Sequence, residues 1–176
     1  MMRSRFLLLP AAVVLAAAPA QADNFLTVEQ AQTLLFPGAT MTPADFTMSE
    51  NQVDELIEVT GSTVYRSKVR AWRASTGGWF FVDQVPGRDD RVTYALAIDA
   101  NGAVRGIEVL VGLREYGAIL RADWRDHFKG RRHAKDESNN TEIPLVSGET
   151  LTTAHVGDGI NRLLATYAMF IGPSSK

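Results

Sequence analysis

Residues 92–111, VTYALAIDANGAVRGIEVLV, contain two short apolar runs with a turn signal between them. Val, Ile and other strand-forming residues are frequent in both runs, which favours β-strands. The dipeptide Asn101-Gly102 is typical of a β-hairpin turn. We therefore predict that residues 92–99 and 104–111 pair as antiparallel strands.

Further strands and helices are predicted on both sides of this hairpin. The patterns predict strands at 69–74 and 79–85, joined at Gly77-Gly78, and helices at 27–36, 49–59, 122–129 and about 152–170. The last helix is expected to face the core through Val156, Ile160, Leu163, Leu164 and Tyr167. Strands framed by helices without regular alternation predict an α+β fold, an antiparallel sheet flanked by helices.

Three polar segments are expected to be loops. Residues 38–48 lack a clear period. Residues 86–91 carry Arg88, Asp89, Asp90 and Arg91, which favour a solvated turn, with a functional site as the alternative. The charged stretch 130–142 is interpreted as a surface loop, although its basic residues could also contact an anionic partner.

The N-terminus has the features of a signal peptide. Arg3 and Arg5 precede an apolar run over residues 6–18 that ends at Ala20-Gln21-Ala22. We expect residues 1–22 to be cleaved, which leaves one domain at 23–176 in the periplasm; an uncleaved anchor is the alternative. Cleavage shifts the formal net charge from −2 to −4, because the two arginines are the segment's only charged residues. This acidic balance argues against nucleic-acid binding.

The chain contains no cysteine, which excludes disulfides, thiolate metal sites and thiol nucleophiles. The three histidines, His127, His133 and His155, lack a recognised metal-ligand spacing, so no metal site is predicted. Any redox chemistry is therefore expected to come from a bound organic cofactor.

A candidate cofactor motif, SGETLTT, occupies residues 147–153 at the start of the last predicted helix. Unpaired N–H groups at a helix N-terminus can hold a phosphate. On composition alone, simple helix capping by Ser and Thr is the more frequent role.

Residues 143–164, IPLVSGETLTTAHVGDGINRLL, resemble the covalent-flavin segment of the FMN-binding domain family. That family includes the C subunit of the sodium-pumping quinone reductase, the G subunit of Rnf complexes and small secreted proteins. Its motif is roughly Asp-x-x-Ser-Gly-Ala-Thr, in which the Thr carries FMN as a phosphoester. The matching positions are Ser147, Gly148, the acceptor Thr150, and the hydroxyl residues Thr152 and Thr153. Pro144 and Glu149 stand where the family has Asp and Ala.

The resemblance extends upstream through a core at about 64–170. Residues 78–117 are similar to the family's pair of strands and Arg-Glu-x-x-Gly segment, and residues 122–130 to its Trp-x-x-x-Phe-x-Gly helix. It implies that the backbone N–H groups of Leu151, Thr152 and Thr153 hold the phosphate. It also implies that four side chains lie near the flavin or support its loop: Arg114, Glu115, Tyr116 and Trp124. The alternative for Trp124 is plain packing in the core. The alternative for Arg114 and Glu115 is a surface ion pair.

The resemblance implies an extracytoplasmic flavoprotein that carries FMN covalently on Thr150 and transfers electrons, rather than a stand-alone enzyme. A flavin transferase would attach the group, and a membrane or periplasmic protein would be the redox partner, so that the domain is periplasmic or membrane-associated. Two alternatives remain: a family member that has lost flavinylation and serves as a binding or scaffolding module, and a hydrolase that uses Thr150 or Ser147 with a His. The hydrolase is least favoured because no Gly-x-Ser-x-Gly elbow is present.

Overall fold

The computed structural model of the protein describes residues 22–133 and 143–172. The predicted signal peptide, apart from Ala22, and most of the predicted 130–142 loop lie outside the described residues. Within these ranges, one curled antiparallel sheet packs with helices, which confirms the α+β prediction.

The sheet contains β1 (Asp23–Asn24), β2 (Met41–Pro43), β3 (Phe46–Thr47), β4 (Lys68–Ala74), β5 (Trp79–Pro86), β6 (Arg91–Ile98) and β7 (Val104–Gly112). The helices are α1 (Val28–Leu35), α2 (Glu50–Thr60), α3 (Gly117–Leu120), α4 (Ala122–Asp126) and α5 (Thr150–Thr166), and a π-helical turn (Tyr167–Ile171) extends α5. The strand order is β1-β7-β6-β5-β4-β2, and β3 also pairs with β4.

The predicted central hairpin is confirmed by the pairing of β6 with β7, in which Leu96 lies opposite Ile107. Its turn is longer than a two-residue turn, because Asp99 N–H bonds to the carbonyl of Ala103 at 2.8 Å. Within the turn, Gly102 adopts a φ of +83°. Glycine takes this conformation without the steric penalty of a side chain.

Local sequence signals explain the ends of α1 and α2. Thr27 and Ser49 each cap a helix with a reciprocal side-chain bond to the third helical residue. Gly61 ends α2 in the left-handed conformation at φ +63°. Both helices therefore begin and end within about one residue of their predicted limits.

The two faces of the sheet bury separate groups of apolar residues. The short helix α1 covers one face around Phe80 and Ala97. The other face forms the larger core, where α5 packs through Ile160 and Leu163. All five residues predicted to face the core from the last helix are buried.

Helix α5 lies very close to the sheet at Gly159. A Cβ atom there would stand 2.4 Å from the hydroxyl of Tyr94, so a larger residue would push the helix outward. One turn later, Arg162 forms an ion pair with Asp83 at 2.5 Å and donates to the carbonyl of Thr63 at 2.9 Å. Tyr94 donates to the same carboxylate at 3.0 Å, and burial raises the pKa of this tyrosine well above its ordinary value.

Several element boundaries differ from the predictions. The expected loop 38–48 contains β2 and β3, which exist only as partners of β4. The helix expected at 122–129 is shorter and follows the separate α3. Helix α5 begins at Thr150, two residues early, and this places the candidate acceptor inside its first turn. Among the described residues, no helix has both the length and the apolar character that crossing a membrane requires.

Replacing Arg162 by Leu is expected to destabilise the protein, because it leaves the Asp83 carboxylate without its ion-pair partner. We expect the free energy of unfolding, measured by urea denaturation, to fall by about 3 kcal/mol. Lys129→Leu is the control, since it removes an ion pair with Asp126 in which both side chains are more than half exposed. This control should change stability by less than about 1 kcal/mol. Equal losses in the two variants would contradict the assigned role of Arg162.

Candidate functional site

The Ser-Gly part of the motif forms a tight turn just before α5. The N–H of Glu149 donates to the carbonyl of Val146 at 2.9 Å, and Gly148, with a φ of +84°, occupies the third turn position. This arrangement is that of a type II turn, which favours glycine at that position. Ser147 and Gly148 are exposed at its tip, and the space around Gly148 is open.

Thr150 is the first residue of α5 and is exposed. Its hydroxyl donates to the carbonyl of Val146 at 3.2 Å, the same oxygen that closes the turn. Within the described part of the chain, the backbone N–H groups of Thr150, Leu151 and Thr152 have no hydrogen-bond partner. At the start of α5, the exposed Thr150 and three unused backbone donors are therefore accessible to an incoming group.

The next two threonines have a different role from the one expected for motif hydroxyls. Thr152 and Thr153 are only 1% and 0% exposed. The Thr153 hydroxyl bonds to the carbonyl of Glu149 at 3.0 Å, and its N–H donates to that same carbonyl at 2.9 Å. The Thr153 N–H, which the resemblance implies as a phosphate donor, is thus already bonded within the first turn of the helix.

The two departures from the family motif both lie at backbone contacts. Glu149 accepts a hydrogen bond from the N–H of Ala118, in the first turn of α3, at 2.9 Å. The carbonyl of Pro144 accepts from the indole N–H of Trp124 at 2.7 Å. Trp124 is buried, and this hydrogen bond ties its ring to the segment that precedes the motif.

A cleft of about 270 Å³ lies beside the motif. Its described lining residues are Arg88, Glu115, Tyr116, Ser147, Gly148, Glu149, Leu151 and Thr152. Six of the ten residues predicted for the site thus share one cleft, and Thr150 lies between the lining residues Glu149 and Leu151. Leu151 is 49% exposed and gives the cleft an apolar edge.

The loop between β5 and β6, expected to be a solvated turn, forms one wall of this cleft. The Tyr116 hydroxyl accepts hydrogen bonds from the N–H groups of Asp89 and Asp90 at 2.8 and 2.9 Å. The N–H of Arg88 donates to the Thr152 hydroxyl at 3.3 Å. Arg88 was not among the predicted site residues, because a charged hairpin loop favoured a solvated turn over a functional site.

Arg114 does not line the cleft. Its guanidinium forms an ion pair with Asp23 of β1 at 2.8 Å and remains 76% exposed. Its expected partner Glu115 does line the cleft, so the two do not act as the predicted surface pair. Adjacent residues diverge here because the chain leaves β7 and turns toward α3.

A second cleft of about 210 Å³ includes residues of the segment that precedes the motif. It is lined by Ala118, Arg121, Asp123, Trp124, His127, Pro144 and Val146. The Trp124 indole, Pro144 and Val146 make part of its wall apolar.

The described residues give little support to the hydrolase or to a metal site. The Nδ1 atom of His155 lies 2.9 Å from the carbonyl of Pro86, which requires a proton on that nitrogen. No hydrogen bond joins a histidine to Ser147 or Thr150 among the described contacts. Residues 22–133 and 143–172 contain no group of three His, Asp or Glu side chains that could hold a metal ion.

No protein-family model, no curated protein and no solved structure matches the chain.

Replacing Tyr116 by Phe is expected to loosen the wall of the cleft, because the N–H groups of Asp89 and Asp90 lose their acceptor. We expect the free energy of unfolding to fall by about 1–2 kcal/mol. Hydrogen exchange followed by NMR should quicken at both amides. Tyr65→Phe, in which the ring is exposed, is the control and should leave exchange unchanged. Unaltered exchange in Tyr116→Phe would contradict this role of the hydroxyl.

Proposed function

We propose that this protein is an extracytoplasmic flavoprotein that carries FMN covalently on Thr150 and serves as an electron carrier. The observation that carries the proposal is the exposed Thr150 hydroxyl at the start of α5, beside a cleft lined by most of the predicted site residues. The resemblance of the motif to the FMN-binding domain family supplies the cofactor class.

The shape of the motif suits attachment of a bulky group. The type II turn projects Ser147 and Gly148 outward, and no atom lies within 4 Å of the Cβ position of Gly148. A transferase can therefore approach the backbone beside Thr150 without displacing side chains. The buried Thr152 and Thr153 hold the first helical turn in place and are poor acceptors, because their hydroxyls are inaccessible.

The substitution of Glu149 for the family's Ala is compatible with a phosphate on Thr150. Its carboxylate accepts the N–H of Ala118, so it is held toward α3. A hydrogen bond from a backbone N–H stabilises a carboxylate at the start of a helix. Pro144, which occupies the position of the family's Asp, is likewise compatible with a phosphate on Thr150. Its carbonyl accepts the indole N–H of Trp124, and this bond orders the segment before the motif.

The two clefts match the two parts of an FMN group. Backbone donors and polar side chains beside Thr150 suit the phosphate and ribityl chain. The apolar wall of the second cleft, with Trp124, Pro144 and Val146, suits an aromatic ring system. A bound flavin supplies one- and two-electron redox chemistry that no side chain of this chain offers.

The attachment reaction is a phosphoryl transfer to the threonine. The Thr150 oxygen forms a bond to the flavin-bearing phosphorus of a flavin dinucleotide, and the pyrophosphate P–O bond breaks. The nucleoside monophosphate leaves, and the hydroxyl proton passes to the transferase or to solvent. Thr150 must first release its hydrogen bond to the Val146 carbonyl.

Intact mass spectrometry of the periplasmic protein, coexpressed with a flavin transferase, tests the proposal. The wild-type chain should gain the mass of one FMN less one water. Thr150→Ala should gain nothing, whereas Thr150→Ser keeps a hydroxyl and should be loaded. Ser147→Ala is the control, since it removes another exposed hydroxyl of the same turn. An adduct that persists in Thr150→Ala places the acceptor elsewhere.

The binding or scaffolding alternative predicts a different appearance of the purified protein. A flavoprotein shows the visible absorption bands of flavin, whereas a member that has lost flavinylation is colourless even when an active transferase is present. A colourless, unmodified wild-type protein would therefore exclude the electron-carrier function and favour this alternative.

Glu149→Gln tests whether the carboxylate hinders loading. Since the amide oxygen of Gln can still accept the N–H of Ala118, we expect the loading rate to stay within about twofold of the wild type. The initial rate of mass gain measures this. A rate more than about tenfold faster would show that the Glu149 charge opposes the phosphate, contrary to the assigned orientation.

A further inference from the structure

We propose that Arg88 binds the phosphate of the flavin group at Thr150 and supplies the positive charge that this site requires. This inference rests on the proposed function and adds a residue that neither the motif nor the resemblance assigns. It follows from the position of the β5–β6 loop, the unused donors of Arg88 and the charges that line the cleft.

The loop that carries Arg88 is fixed over the first turn of α5 by contacts with two separate elements. Tyr116 binds two of its backbone N–H groups, and Thr152 binds the N–H of Arg88 itself. At Gly87 a Cβ atom would lie 2.7 Å from the Tyr116 ring, so only glycine permits this close seating. The backbone of Arg88 is therefore fixed beside Thr152, which follows the acceptor Thr150 by two residues in α5.

The guanidinium of Arg88 is only partly occupied. Its Nε donates to the neighbouring Asp89 carboxylate at 2.6 Å, and this hydrogen bond raises the pKa of Arg88 above its ordinary value. The two terminal nitrogens have no partner among the described residues, and the side chain is 57% exposed. Four N–H donors in a planar fork thus remain for a phosphate.

The charge balance of the cleft favours Arg88 as the side chain that binds the phosphate. Of the described residues that line it, Arg88 is the one cation, whereas Glu115 and Glu149 are both acidic. Arg114, the cation that the resemblance suggests, is directed to Asp23 at the far edge of the sheet. Arg88 is therefore the one charged donor of the described lining that can add to the backbone N–H groups of Thr150, Leu151 and Thr152 in holding an anionic phosphate.

The test compares covalent loading of five chains by one transferase with one flavin dinucleotide: the wild type, Arg88→Gln, Arg88→Lys, Asp89→Asn and Arg91→Gln. The measured quantity is kcat/KM for the protein substrate, from initial rates of mass gain. Arg91 lies in the same hairpin but outside the described lining of the cleft, which makes it the matched control. Thermal melts establish that each variant is folded.

We expect Arg88→Gln to lower kcat/KM by about tenfold and Arg88→Lys to lower it less, because charge-assisted bonds to phosphate are lost in full or in part. Asp89→Asn should raise it, since a neutral amide holds the guanidinium less tightly than the carboxylate does. Arg91→Gln should remain within about twofold of the wild type. If the loop acted only as a structural support, substitutions at Arg88 and at Asp89 would not change kcat/KM in opposite directions.

A second readout uses the loaded proteins. The fluorescence anisotropy of the attached flavin should fall in Arg88→Gln, because its phosphate is held less firmly, and should be unchanged in Arg91→Gln. Equal kcat/KM and equal anisotropy in Arg88→Gln and the wild type would overturn the role of Arg88 while leaving the Thr150 adduct intact. A wild-type chain that gains no mass would instead overturn the proposed function, and this inference with it.

Discussion

The close packing of α5 on the sheet is the constraint on which the candidate site depends. Gly159 lets the helix reach the Tyr94 hydroxyl, and Arg162 pairs with Asp83 beneath the helix. Buried polar groups must find partners, so this cluster sets both the rotation of the helix and its position along the sheet. Because α5 begins at Thr150, the same cluster places the first turn of the helix at the rim of the molecule.

Around that first turn, three segments distant in sequence converge on the motif. Each is held by a bond between a side chain and a backbone group: Thr152 to Arg88, Glu149 to Ala118, and Trp124 to Pro144. Such bonds satisfy backbone groups that a turn or a helix end leaves unpaired. The motif is consequently ordered on its inner side and accessible only at the turn tip, at Thr150 and at Leu151. Neighbouring threonines therefore differ in accessibility, since Thr150 is exposed whereas Thr152 and Thr153 are buried.

The parts of the fold that depend on local pattern were predictable from the sequence. The hairpin of β6 and β7, the capped helices α1 and α2, and the core face of α5 each leave a periodic or capping signal. The strands β2 and β3 leave none, since they form only against β4. The start of α5 was misplaced because Glu149, at its N-cap, makes no capping bond to the helix it precedes.

The sequence alone determined the α+β class, the hairpin turn at Asn101-Gly102 and a hydroxyl-bearing motif at a helix start, because periodicity and turn preference are properties of neighbouring residues. Only the tertiary structure decided that Arg88 rather than Arg114 faces the motif, and that Thr152 and Thr153 are buried while Thr150 is exposed. These outcomes depend on which loops meet after α5 packs on the sheet. Arg88 and Thr152 are 64 positions apart, and no local pattern encodes a contact across that separation.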